Sequence, residues 1–398
     1  MFLNLYFNRN YMIPGLDGLR AIAFLLIFWL HIGYLQIGWI GVQFFFVLSG
    51  FLITGILLNM KRSLRAGEYF SKFYGRRFLR IFPLYYFYLL LMTGVAVFLI
   101  SIPYKPNYMK IFLDQVWYAV FYLYDFFFGT IFFQSSHFLD HFWSLSVEEQ
   151  FYIVWPLLIF LAPEKHLKKL FLTFIFLGPL FRLTFHFIYF SGVFRFLARN
   201  VELALYPLPF SHVDAFAFGA YLSRYSIPKA KQQFFFLLVA IPLIGSAAHY
   251  LATGELGSLS ALGYPLLMPN AYQYIWGYSL LNYFFALTIQ VVVREKLFLR
   301  FLEWSPMQYL GKISYGLYVY HFPIIWFAGR LFGVNPLDLS LPPHSATIAF
   351  AATLLIASLS YHFIEKPILN LKDRFFPLIP NQHDDREIPQ ETQSASHA

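Results

Sequence analysis

Cysteine is missing altogether from the 398 residues, and charge is scarce, with Asp, Glu, Lys and Arg together at 12%. Without a thiol there is no disulfide framework, no thiolate metal site and no cysteine nucleophile. Soluble domains carry about 25% charged and about 45–50% apolar residues. This chain is 59% hydrophobic and 22% aromatic, and its mean hydropathy is +0.57. Those values exclude a soluble globular enzyme and a disordered chain. The common soluble-enzyme signatures are absent too: P-loop, GxGxxG, GxSxG, HExxH and EF-hand. Neither an internal repeat nor a low-complexity tract is visible. What remains is an all-α fold, a polytopic membrane helical bundle.

A bilayer-crossing helix needs about 20 mostly apolar residues. Ten stretches qualify: roughly 17–35, 38–58, 81–102, 143–162, 170–190, 207–223, 233–250, 272–293, 313–332 and 344–364. The stretch 111–133 is also apolar, but it carries Asp114 and Asp125 and reads as interfacial or re-entrant. With the N-terminus inside, the cytoplasmic segments hold 22 Lys and Arg and the outer loops hold 4. That bias predicts about ten helices with both termini cytoplasmic. It also accounts for the net charge of +9 without nucleic acid. Residues 1–16 read as an interfacial lead-in with no cleavable signal. Residues 17–367 read as the membrane domain and 368–398 as a cytoplasmic tail, disordered from about 381.

Ionisable side chains inside spans are costly, so each is a site candidate. The first span holds Arg20 and His31. Eleven steps place them about 16 Å apart along one helix axis, Arg20 near the inner face and His31 in the outer half. The plainer reading is an inner-face anchor and an interfacial histidine. In GRRFLRIFP, Arg77 and Arg80 share a helix face beside Arg76. Forked guanidinium groups there suit phosphate oxygens, although flanking basic charge is the common use of such a run. In HFLDHFWSLSVEEQFYIVWP (137–156), His137, Asp140 and His141 have the spacing of ligands on one helix face. Nothing completes the ligand set, so no metal is expected. Glu148 and Glu149 follow at the mouth of a span, as a general base or as an orienter of His31, with Ser144 or Ser146 as the helix cap. Asp214 needs a partner, and Arg182 and His212 are the candidates. Near residue 314, Ser314 precedes a polar stripe of Tyr315, Tyr318 and His321, which helix–helix hydrogen bonding would also explain.

Seven segments, in order, resemble one family, the acyltransferase-3 membrane O-acyltransferases. They are LDGLRAIAFLLIFWLH (16–31), GVQFFFVLSGFLIT (41–54), RRFLRIFP (76–83), HFWSLSVEEQFYIVWP (141–156), DAFAFGAYL (214–222), YLGKISYGLYVYHFPI (309–324) and YHFIEKP (361–367). The family's basic residue and histidine fall on Arg20 and His31, and its RxxR element falls on Arg77 and Arg80. One departure is His212, where relatives often carry arginine. Many members also have a C-terminal extracytoplasmic esterase-like domain, and the stand-alone form without it is expected here.

The resemblance implies transfer of an acyl group, commonly acetyl, from cytoplasmic acyl-CoA to a carbohydrate hydroxyl. The acceptor would be a cell-envelope or secreted glycan or glycolipid, such as lipopolysaccharide, exopolysaccharide or peptidoglycan, at the outer face of a bacterial inner membrane. Acyl-CoA is a co-substrate, and no cofactor is expected. The expected catalytic residues are His31, Glu148 and Glu149, with Arg20, Arg76, Arg77 and Arg80 binding the donor. Asp17, His141, Trp143, Ser144, Asp214, Ser314, Tyr315, Tyr318 and His321 are expected to support the site or face the acceptor. The competing reading is a transporter or exporter of a glycolipid or small solute. Transporters often show repeats and paired broken helices, and neither is seen. A third class is a scaffold that binds acyl-CoA without turnover.

Overall fold

The computed structural model describes residues 13–267, 273–334 and 340–377, and they are helical almost throughout. The predicted lead-in before residue 13 and the tail from about 381 lie outside the described residues. Helices prevail because a bilayer offers no water to open backbone groups. Chain order begins with α1 (Leu16–His31), α2 (Ile40–Ser63) and α3 (Ala66–Ser101). The 36 residues of α3 extend about 54 Å, against a hydrocarbon core of about 30 Å. Its basic first turns, with Lys72, Arg76, Arg77 and Arg80, therefore project beyond the apolar layer.

Two helices share the length of α3. α4 (Pro106–Val120) runs back along its outer half, where the Tyr85 and Tyr86 hydroxyls donate to the Ala119 and Val120 carbonyls at 2.7 and 3.1 Å. The chain then turns at Tyr122, forms the short α5 (Tyr124–Phe128), and enters α6 (Phe142–Leu161) beside the inner half. There the Tyr69 and Tyr74 hydroxyls donate to the carbonyls of Pro156 and Ile153 at 3.0 and 2.8 Å. The apolar stretch 111–133 is thus the end of α4, a turn at Tyr122 and the short α5, and it is not among the stretches long and apolar enough to cross a membrane.

The rest comprises α7 (Leu167–Phe190), α8 (Val201–Leu205), α9 (Val213–Arg224), α10 (Ala230–Thr253), α11 (Gln273–Val293), α12 (Leu299–Leu302), α13 (Ser305–Lys312), α14 (Ser314–Leu331), α15 (Pro343–Ser360) and α16 (Lys366–Phe375). Each of the ten predicted spans contains one helix. Seven helical stretches among the described residues are long and apolar enough to cross a membrane by length and composition. α1, α9 and α14, with 16, 12 and 18 residues, fall outside that set. These three carry Arg20 and His31, Asp214, and the stripe from Ser314 to His321. Packed among other helices, they need neither the length nor the apolarity of a lipid-facing span. α7 and α10 bury less than a quarter of their apolar stretch and present Phe176, Phe187, Phe236 and Leu243 outward. α2, by contrast, is largely buried at the centre.

Close backbone approach fixes α2 against α9. A Cβ on Gly50 would fall 2.0 Å from the Phe216 carbonyl oxygen, and one on Gly219 would fall 1.9 Å from that of Val47. Small residues at such crossings let van der Waals contact replace the hydrophobic drive that lipid removes. A buried ion pair ties α7, α9 and α11. Arg182 forks onto both Asp214 oxygens at 3.1 and 2.8 Å, and Ser279 donates to the same carboxylate at 2.6 Å. Arg182, rather than His212, is therefore the partner of Asp214. His212 instead meets Gln43 at 2.9 Å and the Tyr206 carbonyl at 2.6 Å. Asp214 is thereby satisfied within the bundle, in an arrangement that suits packing.

Candidate active site

A cavity of about 330 Å³ opens among α1, α2, α3, α6, α14 and α16. Its wall at the basic end of α3 carries Arg20, Arg76, Arg77, Arg80 and Lys372, against the two carboxylates Glu148 and Glu149. Asp17 binds Arg20 at 2.8 Å, and Asp373 binds Arg76 at 2.9 Å. Arg77 lies over the Tyr152 ring, 5.8 Å from its centre. Neither Arg77 nor Arg80 has a carboxylate within ion-pair distance among the described residues. The helical spacing of 77 and 80 explains why both reach one wall. An excess of cationic over acidic groups in a concave, water-excluding site attracts a polyanion.

Hydroxyl groups line the cavity too: Tyr315 and Tyr318 from α14, with Ser314 at the helix start and Ser144 from α6, and Tyr315 reaches the backbone beside Arg80. Tyr315 donates to the Ile81 carbonyl at 3.1 Å, Ser144 and Tyr318 share a hydrogen bond of 2.5 Å, and Tyr318 also donates to the His141 carbonyl at 3.0 Å. Trp143 stands apart from the cavity wall and packs at a tilt against the Tyr206 and His212 rings.

Behind Tyr318 lies a histidine cluster. His31 Nδ1 is 2.7 Å from His321 Nε2, with the rings stacked at 4.9 Å. His321 Nδ1 is 2.6 Å from the Tyr318 carbonyl. A carbonyl only accepts, so His321 carries its proton on Nδ1 and presents a lone pair at Nε2. His31 must then donate from Nδ1, which leaves its own Nε2 as a free base. The tautomers follow from the acceptors, since hydrogens are inferred from the network. His141 donates from Nε2 to the Val319 carbonyl at 3.0 Å, and its buried Nδ1 has no partner among the described residues. Phe322 stacks on His31 at 4.3 Å and meets His137 at 4.7 Å.

Three local expectations change. His137, Asp140 and His141 do not share a helix face, because 137–141 is a series of turns and α6 opens at Phe142. The Asp140 carboxylate holds that turn by accepting from the Ser136 amide at 2.7 Å and the Ser135 hydroxyl at 2.5 Å. No group of three His, Asp or Glu side chains among the described residues is placed to hold a metal. Glu148 and Glu149 lie in the second turn of α6, and Ser144 and Ser146 bond back to the His141 and Phe142 carbonyls rather than capping. Finally, Glu148 accepts from Ser49 and Tyr152, whereas His31 is oriented by His321. Sequence reading had not singled out Ser49 or Lys372 for the cavity. Ser49 sits in the quoted segment GVQFFFVLSGFLIT, so a polar residue inside an apolar span was the available signal.

Fold and site together define a membrane helical bundle that encloses a cationic pocket. The family model described as an acyltransferase domain, that of the acyltransferase-3 family, matches residues 13–362, and the chain belongs to that family. It is similar to O-acetyltransferase OatA of Staphylococcus aureus, at 28% identity over 383 residues, covering 93% of this chain and 59% of the relative. It is also similar to peptidoglycan O-acetyltransferase OatA of Listeria monocytogenes, at 29% identity over 380 residues, covering 91% and 56%. The chain thus spans under three fifths of the length of these curated relatives. No solved structure matches.

Proposed function

We propose that this protein moves an acyl group, acetyl in the first instance, from cytoplasmic acyl-coenzyme A to a carbohydrate hydroxyl at the outer face of a bacterial cytoplasmic membrane. The observation that carries the proposal is a cationic cavity wall together with a histidine pair that packs behind the cavity's Tyr318. Arg77 and Arg80, which have no ion-pair partner among the described residues, form one wall of the cavity, and Tyr318, whose hydroxyl lines the cavity with Ser144, accepts through its backbone carbonyl from His321, which in turn meets His31. The names of the two relatives supply the acetyl group and, for one of them, peptidoglycan as the acceptor.

In this reading the donor's phosphates rest on Arg77 and Arg80, with Arg20 and Arg76 beside them. Arg20 and His31 stand on one unbroken helix, about 16 Å apart, a distance the flexible pantetheine arm can cover. The thioester then reaches the ceiling formed by Ser144 and Tyr318. His31 Nε2 takes the proton of the acceptor hydroxyl as its oxygen attacks the thioester carbonyl. Collapse of the tetrahedral centre breaks the C–S bond, giving the ester and the coenzyme A thiolate, which takes the proton from the His31 imidazolium and restores the free base. His321 holds His31 in the reactive tautomer and accepts from the imidazolium that forms. A positioned base of this kind contributes about 10²–10⁴-fold.

The test uses the purified full chain in nanodiscs with radiolabelled acetyl-coenzyme A, with and without envelope glycans. Label moving to a base-labile glycan product supports the proposal if His31→Ala abolishes transfer but retains donor binding. Turnover of His31→Ala at the wild-type rate would sink the assignment of the base. Absence of donor binding by the wild type would remove the acyl-coenzyme A reading itself.

A further inference from the structure

We infer that Lys372, carried by the C-terminal helix α16, is a donor-binding residue that completes the phosphate site from outside the family-matched region. The inference rests on the donor reading above and extends it to a residue that the family match, ending at 362, does not include. α16 crosses residue 367, where sequence reading ended the membrane domain. A single π-type turn, Tyr361–Glu365, joins it to α15 and redirects the chain.

α16 docks on the basic start of α3. Arg76 binds the Asp373 carboxylate at 2.9 Å and donates to the Phe376 carbonyl at 2.7 Å. The Phe376 ring occupies the space above Gly75, where a Cβ would fall 2.3 Å from it. This docking aims Lys372, one residue before Asp373, into the cavity wall with Arg77 and Arg80. Lys372 is within electrostatic reach of all three arginines at 76, 77 and 80, and no carboxylate lies within ion-pair distance of it among the described residues. Arg77, Arg80 and Lys372, without an ion-pair partner among the described residues, repel one another across this wall, and Asp373 and Glu365 offset part of that repulsion. A ligand carrying several phosphate charges relieves that repulsion, and a nucleotide thioester has them at the end remote from the reacting carbonyl. A lysine is a point charge that suits a phosphate monoester without demanding the planar fit of an arginine.

The same phosphate chemistry is offered by acidic lipid headgroups, so the test excludes them. Full-length wild type, Lys372→Gln, Lys372→Arg and Arg77→Gln/Arg80→Gln are placed in nanodiscs of phosphatidylcholine alone. Binding of coenzyme A and of S-acetylpantetheine, which lacks the nucleotide phosphates, is titrated at two salt concentrations. Thermal unfolding is recorded in parallel to confirm that each variant is folded. Lys372→Gln is expected to weaken coenzyme A binding about tenfold and to flatten its salt dependence. Affinity for S-acetylpantetheine stays unchanged, and Lys372→Arg recovers most of the loss. Wild-type affinity for coenzyme A in Lys372→Gln, with loss in the double arginine variant, overturns the role of Lys372 and leaves the donor reading intact. Equal loss for both ligands also overturns it, because a phosphate contact cannot affect a ligand without those phosphates. If the wild type fails to bind coenzyme A at all, the donor reading fails and this inference falls with it.

Discussion

His321→Leu isolates what the second histidine does for the first. Among the described residues, the 2.7 Å contact from His31 Nδ1 to His321 Nε2 is the one hydrogen bond of the His31 ring, and His321 is fully buried. In the ground state the contact is a neutral hydrogen bond, worth about 0.5–1.5 kcal/mol. As His31 takes up a proton it becomes a charged donor, and such bonds are worth about 1.5–3 kcal/mol. With 1.36 kcal/mol equal to a factor of ten, the difference of about 1–1.5 kcal/mol predicts a loss in turnover of about tenfold. His31→Ala removes the base itself and loses about 10²–10⁴-fold. The assay is single-turnover transfer of label from acetyl-coenzyme A in nanodiscs, with donor affinity titrated separately. Donor affinity should not move, because His321 lies beyond the cavity ceiling and does not line the cavity. His321→Gln keeps an acceptor near the position of Nε2 and should recover most of the rate. Residues that act as a unit are not additive, so adding His321→Leu to His31→Ala should slow the reaction no further. Turnover of His321→Leu within twofold of wild type, or full multiplication of the two losses in the double variant, refutes the dyad.

Other perturbations test separate parts of the structure. Removing one partner of the buried pair with Arg182→Leu strands the Asp214 carboxylate, and such losses cost about 3–5 kcal/mol; a large fall in the thermal midpoint of the solubilised protein is expected, and none should follow if the pair is dispensable. Gly219→Ala places a Cβ 1.9 Å from the Val47 carbonyl oxygen, so α2 and α9 must separate and the yield of folded protein should drop, whereas Gly94→Ala, with open space around its Cβ, should leave yield at the wild-type level. Coenzyme A at 100 times its Kd should stabilise the wild type by about 2.7 kcal/mol, and Arg77→Gln/Arg80→Gln should abolish the thermal shift. Tyr318→Phe removes the hydroxyl shared with Ser144 and donated to His141; it should lower kcat without changing donor affinity, as checked by the same titration.

Seven of the ten predicted spans were legible because lipid-facing helices declare themselves by apolar length, whereas α1, α9 and α14 are shorter or more polar and were legible as helices only. The internal geometry of 103–141 was poorly legible. The run 111–133 is apolar enough for a span, yet it breaks at Tyr122, a bulky residue held at a φ of 54°. That strain persists because the fold over-determines it. The Tyr85 ring stacks on Tyr122 at 4.4 Å, and the Gln150 side chain bonds both the Tyr122 carbonyl and the Asp125 carboxylate. All of those partners are distant in sequence, so no local pattern could announce the break. The spacing of His137, Asp140 and His141 failed for a different reason. Asp140 reaches back to the Ser136 amide, and this short-range competition between side chain and backbone makes a turn where periodicity suggested a helix.

The candidate site shows the same division between what is local and what is not. Arg77 and Arg80 share a face through helical spacing alone, and so do Tyr318 and His321. Which faces meet is a tertiary fact. His31 and His321 are separated by 290 positions, and each sits within an apolar segment that shows no trace of the other. Glu149 was therefore a reasonable partner for His31 by charge, whereas the structure supplies a neutral histidine. That exchange has a consequence for the chemistry. A carboxylate beside His31 would hold a fixed negative charge next to the incoming acceptor and favour the imidazolium before the reaction begins. A neutral acceptor orients the ring without charging it, so the base remains free until the hydroxyl arrives. The cations cluster on the wall formed by the basic start of α3, where the phosphates of the proposed donor would meet them. On this arrangement, donor affinity and proton transfer are set by different groups, and substitutions in the two sets should separate in their effects on Kd and kcat.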